Sequence, residues 1–357
     1  MNSSETKIVY NQGRSATVTH GPARSAELGV TIKHLKDSLC EVQGRFVQYA
    51  DRCYVAHRAL QMALNNTNVK DIRNCFDELN DILNNHLEAD LRVFTQHIRD
   101  TFEYKGGMYP RVCFKRPYQY SEKDVEKIIV ICRDRDTSYA KEYDLNKNTG
   151  FKFVNNTGNY FICNDIPMAI SEEQYNNPRL EQNNLATFRM EYNKYNHVLM
   201  KILLKFHIVS KSSLDRAWKS AWRDFNTEYV KDVDCYKSTL IIPITLSKNA
   251  LSAEFVQEFF PTASRNLVFG FLCFDYHETD YFDENVDTSI GYIFADMISY
   301  HFLTHYCHTN LVTSYERARE TLDADEKGST RSRDEFSRPL QTANRTARPS
   351  QERMLSP

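Results

Sequence analysis

From Ser25 onward the apolar residues Leu28, Ile32, Leu35, Leu39, Val42, Phe46, Tyr49, Cys53, Ala56 and Leu60 recur at alternating steps of four and three. That spacing predicts a long helix with one apolar stripe. The sequence "NNTN" at 65–68 interrupts it. A second stripe, Ile72, Phe76, Leu79, Leu83, Leu87, Leu91, Phe94 and Ile98, predicts a helix over 69–102. Two long helices with a short join suggest an antiparallel hairpin. The spacing does not choose between a partner helix of the same chain and a second copy, so Leu79, Leu83 and Leu87 are candidate interface residues.

After "YKGGMYP" the period changes. Short β-branched and aromatic runs follow: "RVCFKR" at 111–116, "KIIVICR" at 127–133, "YFICNDI" at 160–166, "CYKSTLIIPITLS" at 235–247 and "LVFGFLCF" at 267–274. Each reads as a strand. Pro243 implies a bulge or an edge, and Gly270 a bulge or a close backbone approach. "HVLMKILLKFHIV" at 197–209 leans to helix. From Asp283 the residues Val286, Ile290, Ile293, Phe294, Ile298 and Phe302 restore helical spacing, with Asp283, Glu284 and Asp287 in the first turns, where negative charge suits the helix dipole. Asp275, at the end of the last apolar run, is read as a strand-end or turn residue.

Four regions are expected: a flexible N-terminus at 1–24, a helical hairpin or dimerisation region at 25–104, an α/β (α+β) domain at 105–308, and a mostly disordered tail at 309–357 poor in core-forming residues. The 357 residues are 41% hydrophobic, enough for at least one sizeable core. With 45 basic and 47 acidic residues the formal net charge is −2, which gives no general nucleic-acid surface. The run "KRPYQYSEK" mixes Lys115 and Arg116 with stackable tyrosines, a weak signal against that balance. No apolar stretch reaches membrane-span length, and the N-terminus has no signal-peptide core; a soluble, cytoplasmic protein is expected. Nine scattered cysteines without a CxxC pair fit free thiols in a reducing compartment.

The order of these runs resembles the GAF domain, a small ligand-sensing module. The carriers are the helix leading into 111–116 and 127–133, "NTGFKFVNN" before "YFICNDI", "STLIIPI" followed by "FGFLCFD", and the closing helix "FDENVDTSIGYIFADMISYHF". Together they cover roughly 85–308. The resemblance implies a central antiparallel sheet flanked by helices, preceded here by the long-helix hairpin. It also implies a pocket rim at the strand ends and homodimers built through helices. The segment between Asp165 and Cys235 and the hairpin between Leu246 and Leu267 are longer than in a simple sensor module. The cyclic-nucleotide and chromophore-cysteine signatures do not occur, so the ligand stays open.

Candidate ligand-binding residues follow from chemistry and position. Arg133 and Arg135 in "CRDRD" carry guanidinium forks suited to an anion; a salt-bridged surface turn is the plainer reading. Asn164 and Asp165 end a strand at the implied rim, or serve as turn and helix cap. Tyr175 and Arg179 in "YNNPR" suit a lid, or a plain loop. Trp218 and Trp222, four apart, suit a partner-binding face or a core. His301 and His305 share a helical face, but no acid or HExxH pattern completes a metal set, so they read as surface or interface residues. No nucleotide-binding loop or nucleophile elbow is present. No catalytic residue, metal or cofactor is therefore expected. The reading is a non-catalytic regulatory sensor or scaffold that binds a small polar or anionic ligand or a partner protein. The alternatives are an interaction module with a filled cavity, or a hydrolytic or nucleic-acid-processing enzyme.

Overall fold

The structure, a computed structural model, describes residues 22–65, 69–83, 87–118, 126–134, 142–205, 210–222, 235–246, 253 and 267–326. Most of the N-terminal segment, Arg135, much of "KRPYQYSEK" and the tail beyond 326 therefore lie outside the described residues. Helices are α1 (Pro22–Asn65), α2 (Val69–Asp81), α3 (Leu87–Asp100), α4 (Thr149–Thr157), α5 (Ile166–Ser171), α6 (Gln182–Asn196), α7 (Val198–Lys205), α8 (Ser212–Ala221) and α9 (Val286–Glu326). Strands are β1 (Arg111–Tyr118), β2 (Lys127–Arg133), β3 (Tyr143–Asp144), β4 (Phe161–Cys163), β5 (Ser238–Leu246) and β6 (Leu267–Tyr276). They form one sheet in the order β3-β2-β1-β6-β5-β4, antiparallel at every described pairing. The chain divides into two compact units, one of residues 1–42 and 91–299, the other of 43–90 and 300–357.

The first unit is built on the sheet. Alternation along the central strands sends Val112, Phe114, Leu240, Ile242, Leu272 and Phe274 to one face, all fully buried. Phe102 lies 5.3 Å from the Phe274 ring on that face. The first turns of α9 pack there too, so closely that a Cβ on Gly291 would sit 2.6 Å from Ile242 Cγ1. Cys113, Ile241, Phe271 and Cys273 point to the other face and join a core with Phe151, Val154, Phe188, Trp218 and Trp222. Pro243 lies on β5 past the last described β4 pairing and just before the β5–β6 register shift. Gly270 sits beside the β5–β6 register shift, and a Cβ there would meet the Lys115 carbonyl oxygen at 2.8 Å.

Asp287 occupies the first turn of α9 as expected, yet it is fully buried rather than solvated. Its Oδ2 pairs with Lys105 Nζ at 2.7 Å and accepts the Asp283 backbone N–H at 2.7 Å. The Tyr104 hydroxyl donates to Oδ1, and burial beside this carboxylate pushes the phenol's pKa up. Removing one partner would strand the other in the interior, which typically costs about 3–5 kcal/mol.

The second unit is helical, and here one expectation changes. α2 and α3 both fall within the helix expected over 69–102, and residues 84–86 between them lie outside the described residues. The terminal helix continues past 308 to Glu326. Residues 309–326 contain no glycine or proline and are rich in helix formers. Val312 joins Tyr49, Cys53, Ala56, Leu60, Phe76, Leu79 and Leu83 in the core of this unit. The hairpin stripe is thus covered partly by the chain's own terminal helix.

The histidines expected at a surface or interface are packed inside this unit. His301 is 2% exposed and stacks on Phe46 with ring centroids 4.4 Å apart. His57 Nε2 meets His308 Nδ1 at 2.8 Å, and the Tyr49 hydroxyl meets His305 Nδ1 at 2.9 Å. Burial, with His305 nearby, lowers the His301 pKa to about 3. Burial, with His308 nearby, lowers that of His57 to about 4. The unfolded chain takes up these protons near pH 6.5 and the folded chain only well below it. Stability is therefore complete above about pH 6.5 and falls as pH drops toward 4. Urea unfolding followed by circular dichroism from pH 7.5 to 4.5 should show that decline, and His301→Phe should make it shallower. An unchanged pH slope in His301→Phe would contradict the buried neutral imidazole.

Candidate functional site

On its second face the sheet carries charge as well as hydrocarbon. In β1, Arg111, Cys113 and Lys115 alternate toward this face. Their partners across β6 are Asp275, Cys273 and Phe271, while Arg133 of β2 lies opposite Cys113. One register thus gathers residues from three strands. Above them lies a cavity of about 30 Å³, lined by Arg111, Lys115, Arg133 and Arg179, by Asp134 and Asp275, and by uncharged residues including Tyr143, Asn148, Asn177 and Tyr236. A water needs roughly 10–15 Å³, so the space suits one compact group of a few heavy atoms.

The roof is made by local capping and turn chemistry. Asn148 is the N-cap of α4, accepting from the N–H groups of Gly150 at 3.1 Å and Phe151 at 3.2 Å. It thereby sets the positive end of that helix over the cavity. Asn177 Oδ1 accepts from the Arg179 N–H at 3.0 Å, and its amide donates to the Tyr236 hydroxyl at 2.7 Å. Arg179 lies over the Trp222 ring, 5.4 Å from its centroid, and Trp222 packs against Tyr236 at 4.7 Å. Trp218 donates its indole N–H to the Cys235 carbonyl at 3.2 Å. These contacts order a loop that would otherwise move.

Among the described lining residues are four cationic side chains and two carboxylates. Burial and the adjacent Arg133 lower the Arg111 pKa, and Asp134 and Asp275 work against that. Burial pulls the Lys115 ammonium down, but Cys113, Cys273, Asp275 and Tyr143 outweigh it and the net shift is upward. Lys115 Nζ also sits 4.7 Å from the Phe151 ring centroid. Asp275 accepts the Thr239 hydroxyl at 2.7 Å.

Of the residues singled out from sequence, Arg133 and Arg179 meet in this cavity, and Tyr175 is one layer behind it, within hydrogen-bonding reach of Asn177 and Tyr236. Asn164 and Asp165 are elsewhere. Asn164 bridges both backbone groups of Phe282, donating at 2.7 Å and accepting at 3.0 Å. Asp165 caps α5 by accepting the Met168 N–H at 2.8 Å, and burial raises its pKa. Trp218 and Trp222 are 2% and 3% exposed and belong to the core of the sheet unit. Leu79 and Leu83 are buried in the helical unit, and the side chain of Leu87 lies outside the described residues. Arg111 was not singled out from sequence, and Lys115, Asp134 and Asp275 were read in other roles, in "KRPYQYSEK", in the "CRDRD" turn and at a strand end; the signal for Arg111 and Lys115 was the alternation in "RVCFKR", where every second residue from Arg111 shares a face.

Among the described residues no group of three or more histidine, cysteine or acidic side chains could hold a metal ion, and no helix is long and apolar enough to cross a membrane. The chain matches no family model and has no significant match among curated proteins.

Proposed function

We propose that this chain is a non-catalytic regulatory module that binds a compact oxyanion in the cavity above β1, β2 and β6. The observation that carries this reading is the convergence of Arg111, Lys115, Arg133 and Arg179 on one small space. Guanidinium groups recognise phosphate, sulfate or carboxylate oxygens through paired N–H donors, and do so most strongly where water is scarce. The volume suits a free small anion or one such group at the tip of a larger molecule. The antiparallel sheet with helices on its faces supports the GAF-like reading, in which such a module senses a ligand. Coupling to the helical unit would run through α1 and α9, whose residues belong to both units. The second reading, an interaction module with a filled cavity, draws on the small volume and on Asp134 and Asp275, which offset part of the charge.

Calorimetry at low ionic strength with inorganic phosphate and sulfate separates the two. Wild-type protein should bind, and Arg133→Gln should lose about tenfold or more in affinity, roughly 1.4 kcal/mol. Asp275→Asn should bind more tightly, because the amide oxygen can still accept from Thr239 while the repelling charge is gone. An absence of binding, or equal affinity in all three proteins, would leave the filled-cavity reading.

Self-association is proposed through a different surface from Leu79 and Leu83. Val47, Tyr54, Val55 and Met62 of α1 are 57–61% exposed, and Val47, Tyr54 and Met62 fall at steps of seven and eight along the helix. Sedimentation at tens of micromolar should show a homodimer that Val47→Glu with Tyr54→Glu converts to monomer at unchanged helicity. A monomeric wild type would refute it.

A further inference from the structure

We infer that Cys113 and Cys273 form a peroxide-responsive thiol pair in the floor of the cavity. They are directly opposed on β1 and β6. Directly opposed antiparallel residues hold their Cα atoms about 4.5–5.5 Å apart, inside the 4.4–6.8 Å that a disulfide spans. Both side chains point to the same face and belong to one buried cluster. Both cysteines are free thiols in this structure. The two Cβ atoms of such a pair lie about 4.5–5.5 Å apart and a disulfide takes about 3.5–4.5 Å, so closure asks for a small local approach of the two strands.

The two cysteines are not equivalent. Cys113 is 8% exposed and lines the cavity, whereas Cys273 is 1% exposed and outside the lining. A hydrogen bond from Cys273 leads the causes that bring the Cys113 thiol down to about 6, with Lys115 and Arg133 adding to it against the opposing effect of burial. Burial holds the Cys273 thiol well above its ordinary range. Cys113 is thus the attacking sulfur and Cys273 the resolving one.

The chemistry balances with hydrogen peroxide as the oxidant. The Cys113 thiolate attacks one peroxide oxygen, the O–O bond breaks, and the departing hydroxide takes a proton to become water. Cys113 is then a sulfenic acid. The Cys273 sulfur attacks the Cys113 sulfur, the S–O bond breaks, and hydroxide leaves with the Cys273 proton as a second water. Two thiols are oxidised to one disulfide and one peroxide is reduced to two waters. Peroxide has two heavy atoms and fits a cavity of about 30 Å³, while a bulky organic hydroperoxide does not. The bridge would also remove a negative thiolate from among Lys115, Arg111 and Arg133, leaving the cavity more positive.

Reduced full-length chain should be exposed to limiting hydrogen peroxide, quenched, alkylated and mapped by mass spectrometry. The expected product is a Cys113–Cys273 cross-linked peptide, formed at least about tenfold faster than oxidation of the exposed Cys40 and Cys307. Cumene hydroperoxide should give little of it. Cys273→Ala should leave Cys113 as a sulfenic acid trapped by dimedone. Since a core variant can fail to fold, the wild-type peptide map decides the matter alone. Oxidation of Cys40 and Cys307 with Cys113 and Cys273 still alkylated as thiols would overturn the inference. The readout needs no bound anion, so it stands or falls separately from the oxyanion reading.

Discussion

The register between β1 and β6 is the constraint on which the rest depends. Arg111 faces Asp275, Cys113 faces Cys273 and Lys115 faces Phe271. A slip of one residue would turn every β1 side chain to the opposite face. Val112 and Phe114 would then leave the core beneath α9, and the charged Arg111 and Lys115 would enter it with Cys113. The apolar face fixes the register, and the charged face inherits it.

That inheritance explains how cations can persist in a half-buried place. Charge removed from water must be met by opposite charge or by hydrogen bonds. Asp134 and Asp275 meet part of it, and the ring of Phe151 meets Lys115. Asn148 caps local backbone, and Asn177 joins the Arg179 N–H to the Tyr236 hydroxyl, which keeps the roof in place without adding to the charge. The cationic side chains are held in place by a sheet pinned on its other face. The same unit fixes the start of α9 through the buried Lys105–Asp287 pair. Its two faces are therefore tied to different helices by different chemistry.

Much of the fold was legible. Period-2 and period-3.6 patterns marked the sheet strands and the long helices, and Pro243 and Gly270 carried the local meaning their chemistry implies. The run of α9 to Glu326 was hidden by polar residues whose helix propensity outweighs their lack of core character. At the site, Arg133 and Arg179 stood out as guanidiniums near turns. Arg111 was masked because it sits in a strand read for its apolar residues, and Lys115 was weighed only beside Arg116 and the tyrosines that follow it. Asp165 and Asn164 were drawn to the site by their place at a strand end, whereas their side chains serve backbone groups of α5 and of Phe282. Long-range strand pairing decides such cases, and a single sequence does not state it.

The central claim is that the cationic face of the sheet holds an oxyanion. The most direct measurement is anomalous diffraction from crystals grown at low salt and soaked in selenate. The account predicts a selenium peak within hydrogen-bonding distance of Arg133 and Arg179, stronger than any peak at an exposed lysine or arginine. Selenium peaks at surface sites alone, with the cavity closed by the contact of its own arginines and aspartates, would contradict it.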